Sequence, residues 1–450
     1  MDKKHLSDNR RHTNTSHTAA RVNVAVFLLL LAGLTLGNLL TGEAEGVMPG
    51  ENRLPQPQPS LSVEKVISGS YTRLYDQHVA DHFMLRDFFL QVSGTFHSLK
   101  GLPSRESVEL ISFDGANVGQ SASPAHDVAP GEPSGLPPQE PGDQPTEAKN
   151  PEEALTAVDN FGQVLVVGDR AMELHRHNEE AIGAYARVLN HVQASLPDTQ
   201  VYSLMVPTQV QFVENEDHRS LSHDQAVSAQ LLEDLLSPGI TSIQVFQALG
   251  DAPQEEVYFR TDHHWTARGA YLAYAAFMEQ TRRQPVALES YELVQFHDFL
   301  GSLYHATRHE ALAKSPEILE VFLPPGDLAY SVYPGGLDEA PYQSRVIDLD
   351  KYDAGLPFGV FLGGDQPLSI INGTGHNQRS IVVVKDSYGN PFIPFLLPHY
   401  ETIHVIDPRL TDVNLVDYVR EQQVDEVLFL NYVLVNRYRG YVDLLNTLVP

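Results

Sequence analysis

The stretch Ile381-Val382-Val383-Val384-Lys385-Asp386-Ser387-Tyr388-Gly389-Asn390-Pro391 decides how this chain is read. Four apolar, mostly β-branched residues in succession leave no polar face, which is the pattern of a strand buried under helices on both sides of a parallel sheet. A polar triplet, a glycine and a proline follow within a few residues, and the chain then turns apolar again from Phe392. The segment therefore predicts a strand, a sharp turn and a helix. In an open α/β sheet the carboxyl ends of the strands are where ligands and chemistry collect. Ser387 stands at such an end, beside backbone N–H groups and the positive end of a helix dipole, which favour an activated hydroxyl and a neighbouring oxyanion. The same residue types also cap helices, so helix capping is the competing reading of Ser387.

Working outward, short β-branched runs alternate with longer amphipathic stretches from Pro151 to the C-terminus, the pattern of α/β architecture. Strands are expected at Val164 to Val167, Val201 to Val206, Ser242 to Phe246, Ile381 to Val384, Thr402 to Ile406 and Glu426 to Leu430. Helices are expected at Asn178 to Ser195, Gln225 to Leu236, Ala267 to Arg282 and Val413 to Gln423.

Toward the N-terminus, residues 22–40 are almost wholly apolar, close to the ~20 residues that cross a bilayer. Lys3, Lys4, Arg10, Arg11 and Arg21 precede this run and Glu43 and Glu45 follow it. The positive-inside rule then leaves residues 1–21 in the cytoplasm and everything after Leu40 outside, a single-pass protein of the cell membrane. The alternative is a cleaved signal peptide, but the apolar run is longer than a usual signal core and no small-x-small site follows it. Residues 41–60 form a proline-rich extracytoplasmic linker. From Val63 to Leu99, Tyr71, Leu74, Tyr75, Val79, Phe83, Phe88, Phe89, Val92 and Phe96 recur at helical intervals and suggest one or two amphipathic helices, so the folded part begins near Leu61. Residues 114–150 are crowded with Gly, Pro, Ser and acids without an apolar period and read as a disordered insertion in a 61–450 domain.

The 450 residues, 42% of them hydrophobic, suffice for a substantial core. With 58 acidic against 30 basic residues, a formal charge of −28, the chain repels phosphates, so no nucleic-acid partner is expected. Cysteine is absent, which excludes disulfides, thiolate metal sites and cysteine nucleophiles.

A second segment carries the remaining chemistry: Tyr258-Phe259-Arg260-Thr261-Asp262-His263-His264-Trp265-Thr266. A serine hydroxyl is a weak nucleophile until an imidazole takes its proton, and the imidazole works best when a carboxylate fixes its tautomer. Asp262 and His264 lie two apart, so in an extended segment both point the same way, with His263 pointing away as a structural residue. Asp262, His264 and Ser387 thus form a candidate acid, base and nucleophile. A metal site is the rival, since Asp and imidazole are good ligands, with His297, His305 or His309 as a further donor; yet no tight ligand spacing such as HExxH occurs, and neither metal nor cofactor is expected. Trp265, the single tryptophan, is expected to pack near the site. Asn431, Tyr432, Arg409 and Tyr388 lie at predicted strand ends or beside the serine and are candidates for substrate or oxyanion contacts.

The strings Tyr258 to Tyr271 and Val384 to Leu397 resemble the bacterial DHHW protein family, a branch of SGNH-hydrolase-like proteins similar to alginate O-acetyltransferases. The resemblance implies a three-layer α/β/α sandwich with a mainly parallel sheet. In the alginate enzymes an Asp-x-His pair and a later serine form the triad, which by motif match implies Asp262, His264 and Ser387. One departure is visible: ordinary SGNH esterases have Gly-Asp-Ser where this chain has Lys385-Asp386-Ser387, a change expected to alter the oxyanion-hole backbone. The family pairs with a membrane-bound O-acyltransferase, which implies such a partner here. Together these readings describe an extracytoplasmic serine O-acetyltransferase or acetylesterase acting on a cell-surface polysaccharide. The alternative is a non-catalytic glycan-binding or scaffold partner of an acyltransferase complex.

Overall fold

A computed structural model describes residues 162–449, apart from 327–328, 335, 338–339 and 434–438, together with 108–112 and isolated positions at 58, 61, 71, 75, 78–79 and 82–83. The expected anchor at 22–40, most of the helices expected in 63–99 and the insertion at 114–150 lie outside the described residues. Among the described residues no helix is long and apolar enough to cross a membrane. The chain divides into two units at Leu102. In the first, Tyr71 and Tyr75 are helical, with rings stacked 5.9 Å apart.

The second unit opens with β1 (Val108–Ser112), β2 (Gln163–Val167) and β3 (Arg170–Glu173), paired antiparallel in a small separate sheet. Then come α1 (Glu179–Ser195), β4 (Gln200–Val206), α2 (Gln225–Leu235), β5 (Ile240–Ile243) and α3 (Ala267–Gln280). Next, β6 (Glu292–Phe299) and β7 (Glu317–Leu323) form an antiparallel pair of their own. The chain continues through β8 (Ala329–Val332), β9 (Tyr342–Arg345), β10 (Leu368–Asn372), β11 (Ser380–Lys385), β12 (Thr402–Ile406), α4 (Leu415–Gln422), β13 (Glu426–Tyr432) and α5 (Arg439–Thr447).

The main sheet has the order β5-β4-β13-β11-β12-β10-β8-β9. Its first five strands run parallel, and β10, β8 and β9 continue it antiparallel. The sheet is thus mixed, and the expectation of a mainly parallel sheet holds only for the five strands that carry the parallel half. At its centre β13 is buried at all seven positions and β11 at all but Ser380, so both faces of the sheet are covered there. Burying each of these Val, Leu and Ile side chains stabilises the fold by about 1.5–3 kcal/mol. Helices α1, α2, α4 and α5 pack as one group, while α3 packs on the turns at 393–399.

Three expectations need correction. Val164 to Val167 is a strand, but of the small sheet. The strand expected at Ser242 to Phe246 is Ile240–Ile243, because Phe246 already begins a short helix. The apolar stretch after Pro391 is a 3-10 helix, Ile393–His399, rather than an α-helix: Pro394 and Pro398 lack the N–H groups that α-helical bonding requires.

Candidate active site

The position of Ser387, the candidate nucleophile, follows from β11 and its turn. Asp386 follows the strand and caps the 3-10 turn Ser387–Gly389, its Oδ1 accepting from the Tyr388 N–H at 2.9 Å. Its Oδ2 accepts from the N–H of Tyr432 at 2.9 Å and from Asn431 Nδ2 at 3.2 Å, which ties the turn to the neighbouring strand β13. Burial pushes the Asp386 carboxyl up, against these donors and Arg409. Ser387 is the first residue of the turn, where a helix leaves its N–H without an intrahelical acceptor. The side chain is half-buried.

The segment 258–265 closes on itself through a bridge between Tyr258 and Trp265, and Thr266 then caps α3 by accepting from the Gly269 N–H. The loop inside this bridge is fastened from β7, where Glu317 accepts from the N–H groups of Arg260 and Thr261, each at 2.7 Å. It brings His264 over the nucleophile's turn. Ser387 Oγ and His264 Nε2 are 2.7 Å apart, and His264 Nδ1 and Asp262 Oδ1 are 2.7 Å apart. With Nδ1 protonated toward the carboxylate, a tautomer assigned from this network, Nε2 accepts the serine proton. Asp262 also accepts from the His264 N–H at 2.9 Å and, through Oδ2, from the Ser302 N–H at 2.7 Å. Burial disfavours its ionisation, but His264, His263 and these hydrogen bonds outweigh burial and hold the carboxyl well below its ordinary value. The imidazole of His264 lies flat on Phe358, centroids 3.9 Å apart and planes 12° from parallel.

His263 does not point away. Its ring stands 3.7 Å from that of His264, and its Nδ1 is 2.7 Å from Ser302 Oγ. The tight bend of the loop overrides the alternation of an extended strand. Burial, then the adjacent His264, lower its pKa from 6.5 to about 3, so it is neutral at physiological pH. The donor atoms of Asp262, His263 and His264 lie within 4.8 Å of one another. A metal there would have to displace the bonds of both His264 nitrogens. The proposed further ligands do not join them: His297 is exposed, His305 Nε2 is 3.0 Å from the Leu300 carbonyl, and His309 Nε2 is 3.3 Å from Glu109.

Trp265 is fully buried and donates from Nε1 to the Tyr388 carbonyl at 3.0 Å, while the Tyr388 hydroxyl donates to the His263 carbonyl. Tyr388 is therefore committed to the interior, its ring stacked on Tyr432 at 4.8 Å, rather than offered to a substrate. Asn431 is likewise not placed as an oxyanion donor. Its amide donates to Asp386 and to Tyr441 Oη at 2.7 Å and accepts from Tyr185 Oη at 2.8 Å. Tyr432 serves the site through its N–H to Asp386, with a side chain buried against Tyr388. Arg409 spends its guanidinium on Asp407, Nε to Oδ1 at 2.8 Å, and on Asp365. Strand-end position, or for Tyr388 adjacency to the serine, suggested these four, but burial turns their polar atoms toward the protein.

Lys385 takes part in the same network. Its side chain is 0% exposed, with Nζ 2.7 Å from Asp365 and 3.2 Å from Asp407. Asp365 also accepts from Asn390 Nδ2 at 2.9 Å. Two cations and two carboxylates thus neutralise each other directly beneath the serine turn. A β-carbon on Gly389 would stand 2.7 Å from Lys385 Cβ, so glycine is what lets the lysine stem pass under the turn. The lysine in place of glycine is therefore a structural support of the nucleophile. Sequence reasoning missed Asp365, Asp407, Glu317, Gly301, Ser302 and Phe358, which lie in separate segments without a motif of their own.

The profile of the DHHW protein family matches residues 140–406. No curated protein matches the chain. Among known structures, a DHHW family protein from Eubacterium siraeum is similar at 25% identity and a TM-score of 0.58, over 64% of this chain and 96% of that one. PatB1 from Bacillus cereus with a sulfonyl adduct is similar at 15% identity and a TM-score of 0.52, over 62% of this chain and 96% of that one. A second PatB1 structure gives 17%, 0.52, 62% and 98%. The PatB1 likeness extends to the fold. With the family profile matching residues 140–406 of its 450, and with the eponymous Asp262-His263-His264-Trp265 in the site, the chain belongs to the DHHW protein family.

Proposed function

We propose that the protein is an extracytoplasmic, membrane-anchored serine O-acetyltransferase or acetylesterase that acts on a cell-surface polysaccharide through an acetyl-Ser387 intermediate. The observation that carries this reading is the relay of two 2.7 Å contacts from Asp262 through His264 to Ser387. The resemblance of both motifs to alginate O-acetyltransferases supports acetyl as the group and a glycan as its carrier. The apolar run at 22–40 supports the anchor.

In this reading Ser387 Oγ attacks the carbonyl carbon of an acetyl ester while His264 Nε2 takes its proton. Asp262 keeps the imidazolium oriented and stabilised. The Ser387 N–H stabilises the tetrahedral oxyanion. Collapse breaks the ester C–O bond, His264 returns the proton to the departing alcohol, and acetyl-Ser387 remains. A second hydroxyl then loses its proton to His264 as it attacks the acetyl carbon; collapse breaks the C–O bond to Ser387 and His264 returns the proton to Ser387 Oγ, so that water gives free acetate and a sugar hydroxyl gives the transferred ester. A membrane-bound O-acyltransferase is the natural supplier of acetyl groups outside the cytoplasm.

The test is turnover of p-nitrophenyl acetate by the purified protein and its Ser387→Ala variant, with acetyl-Ser387 sought by mass spectrometry. The reading requires turnover that the substitution abolishes and that a chelator leaves unchanged. Turnover equal in both proteins, or none in either, would point instead to a glycan-binding or scaffold role.

A further inference from the structure

Beside the Asp262–His264 pair lies a small cavity between β3 and the loop that follows β4. Asp262, His263 and His264 line it, together with Glu173 and Gln209. Its water-accessible volume is about 10 Å³, the size of a single-water site. Gln209 is 7% exposed, and neither its Oε1 nor its Nε2 has a hydrogen-bond partner among the described residues. A buried amide without partners is costly, on the order of 1–3 kcal/mol, so one that persists calls for a ligand. Its polar neighbours on the same loop are already engaged: the Thr208 N–H and hydroxyl are both bonded to Gln225 at 2.8 Å, and the Tyr258 hydroxyl donates to the Pro207 carbonyl.

We propose that Gln209 holds one ordered water against the Asp262–His263–His264 cluster and is thereby a positioning residue for the catalytic base. The amide offers this water a donor and an acceptor, and the carboxylate walls of Asp262 and Glu173 offer further acceptors, which meets the two to four partners a buried water requires. The water braces the Asp262 and His263 side chains, both of which also bond Ser302, while Phe358 stacks on His264. Ser387 is not among the residues that line the cavity, so this water is assigned to the base rather than to hydrolysis. The inference rests on the reading of His264 as the catalytic base, and it deepens that reading by assigning the loop after β4 to the site.

Two measurements decide it. A crystal structure at a resolution that shows ordered solvent is expected to place a water within hydrogen-bonding distance of the Gln209 amide in the wild type and none there in Gln209→Leu. In ester turnover, Gln209→Leu is expected to lower kcat about tenfold with KM within about twofold, the scale of one lost hydrogen bond felt in the transition state. Gln209→Glu keeps an acceptor for the water and is expected to restore part of kcat. An empty cavity in the wild type, or an unchanged kcat in a folded Gln209→Leu variant, overturns the proposal. Should the wild type lack esterase activity, the proposed function fails on its own and the solvent density still decides the water site.

Discussion

Gly301 packs so closely on Asp262 that a β-carbon on the glycine would stand 2.2 Å from the aspartate Cβ and 2.5 Å from its Oδ2. No rotamer change relieves a clash with a β-carbon. Gly301→Ala is therefore expected to push Asp262 off His264. A displacement of this kind costs about 10²-fold in kcat/KM and about 1–3 kcal/mol of stability from overpacking. Ester turnover and urea denaturation of the same variant measure both.

Replacing Asp262 by asparagine preserves its volume but removes the charge and the demand for a proton on His264 Nδ1. The imidazole then turns its N–H toward Ser387, the wrong tautomer for a base. Asp262→Asn is expected to lower kcat by about 10³–10⁴-fold. An unchanged KM and an unchanged unfolding midpoint in the same preparation would separate this loss from misfolding.

Lys385 is enclosed with Asp365 and Asp407. Lys385→Met keeps the stem that packs under Gly389 but leaves two carboxylates to Arg409 alone. Breaking a buried ion network from one side costs about 3–5 kcal/mol. Adding Asp365→Asn to Lys385→Met is expected to recover part of that loss, read as a non-additive double-mutant cycle by chemical denaturation.

Three imidazoles, His404 buried and His263 and His399 half-buried, make the fold acid-sensitive. Burial lowers His263 to about 3, and it lowers His399 and His404 to about 4, all from 6.5. Between those values and 6.5 the unfolded chain binds protons that the folded chain refuses, so stability rises with pH in that window and falls on acidification through it. Below about pH 3 these groups contribute no further slope. His404 lies on β12, its Nδ1 2.7 Å from the Tyr418 hydroxyl. His404→Gln is expected to reduce the proton uptake on unfolding near pH 5 by about one, measured from the pH dependence of the unfolding free energy.

Much of this architecture was legible because its signals are local. The apolar run 381–384 announced a central strand, and strand β11 lies there, flanked by β13 and β12. Asn178, Asp224, Thr266 and Asn414 cap α1, α2, α3 and α4, so those helices begin within two residues of where the pattern put them. The antiparallel extension β10-β8-β9 was not legible, since its strands are short and Tyr342–Arg345 carries exposed polar residues. At the site, the spacing of Asp262 and His264 and the position of Ser387 pointed to residues the fold brings together. The polar groups at the strand ends misled, because sequence does not tell whether Asn431 or Arg409 faces solvent or a buried carboxylate. Gly301, Asp365 and Glu317 were invisible for the converse reason: each acts through a contact 40 or more positions away or from a loop with no pattern.

Tyr388 gives its hydroxyl to the His263 carbonyl and receives the Trp265 indole N–H on its own carbonyl, a reciprocal pair of bonds between the two segments that carry His264 and Ser387. Those segments are thereby riveted into one body, and neither can shift without carrying the other. On the proposed function, an incoming sugar chain meets a workbench whose jaws are already set, and any adaptation to polymers of different shape falls to the surface around it.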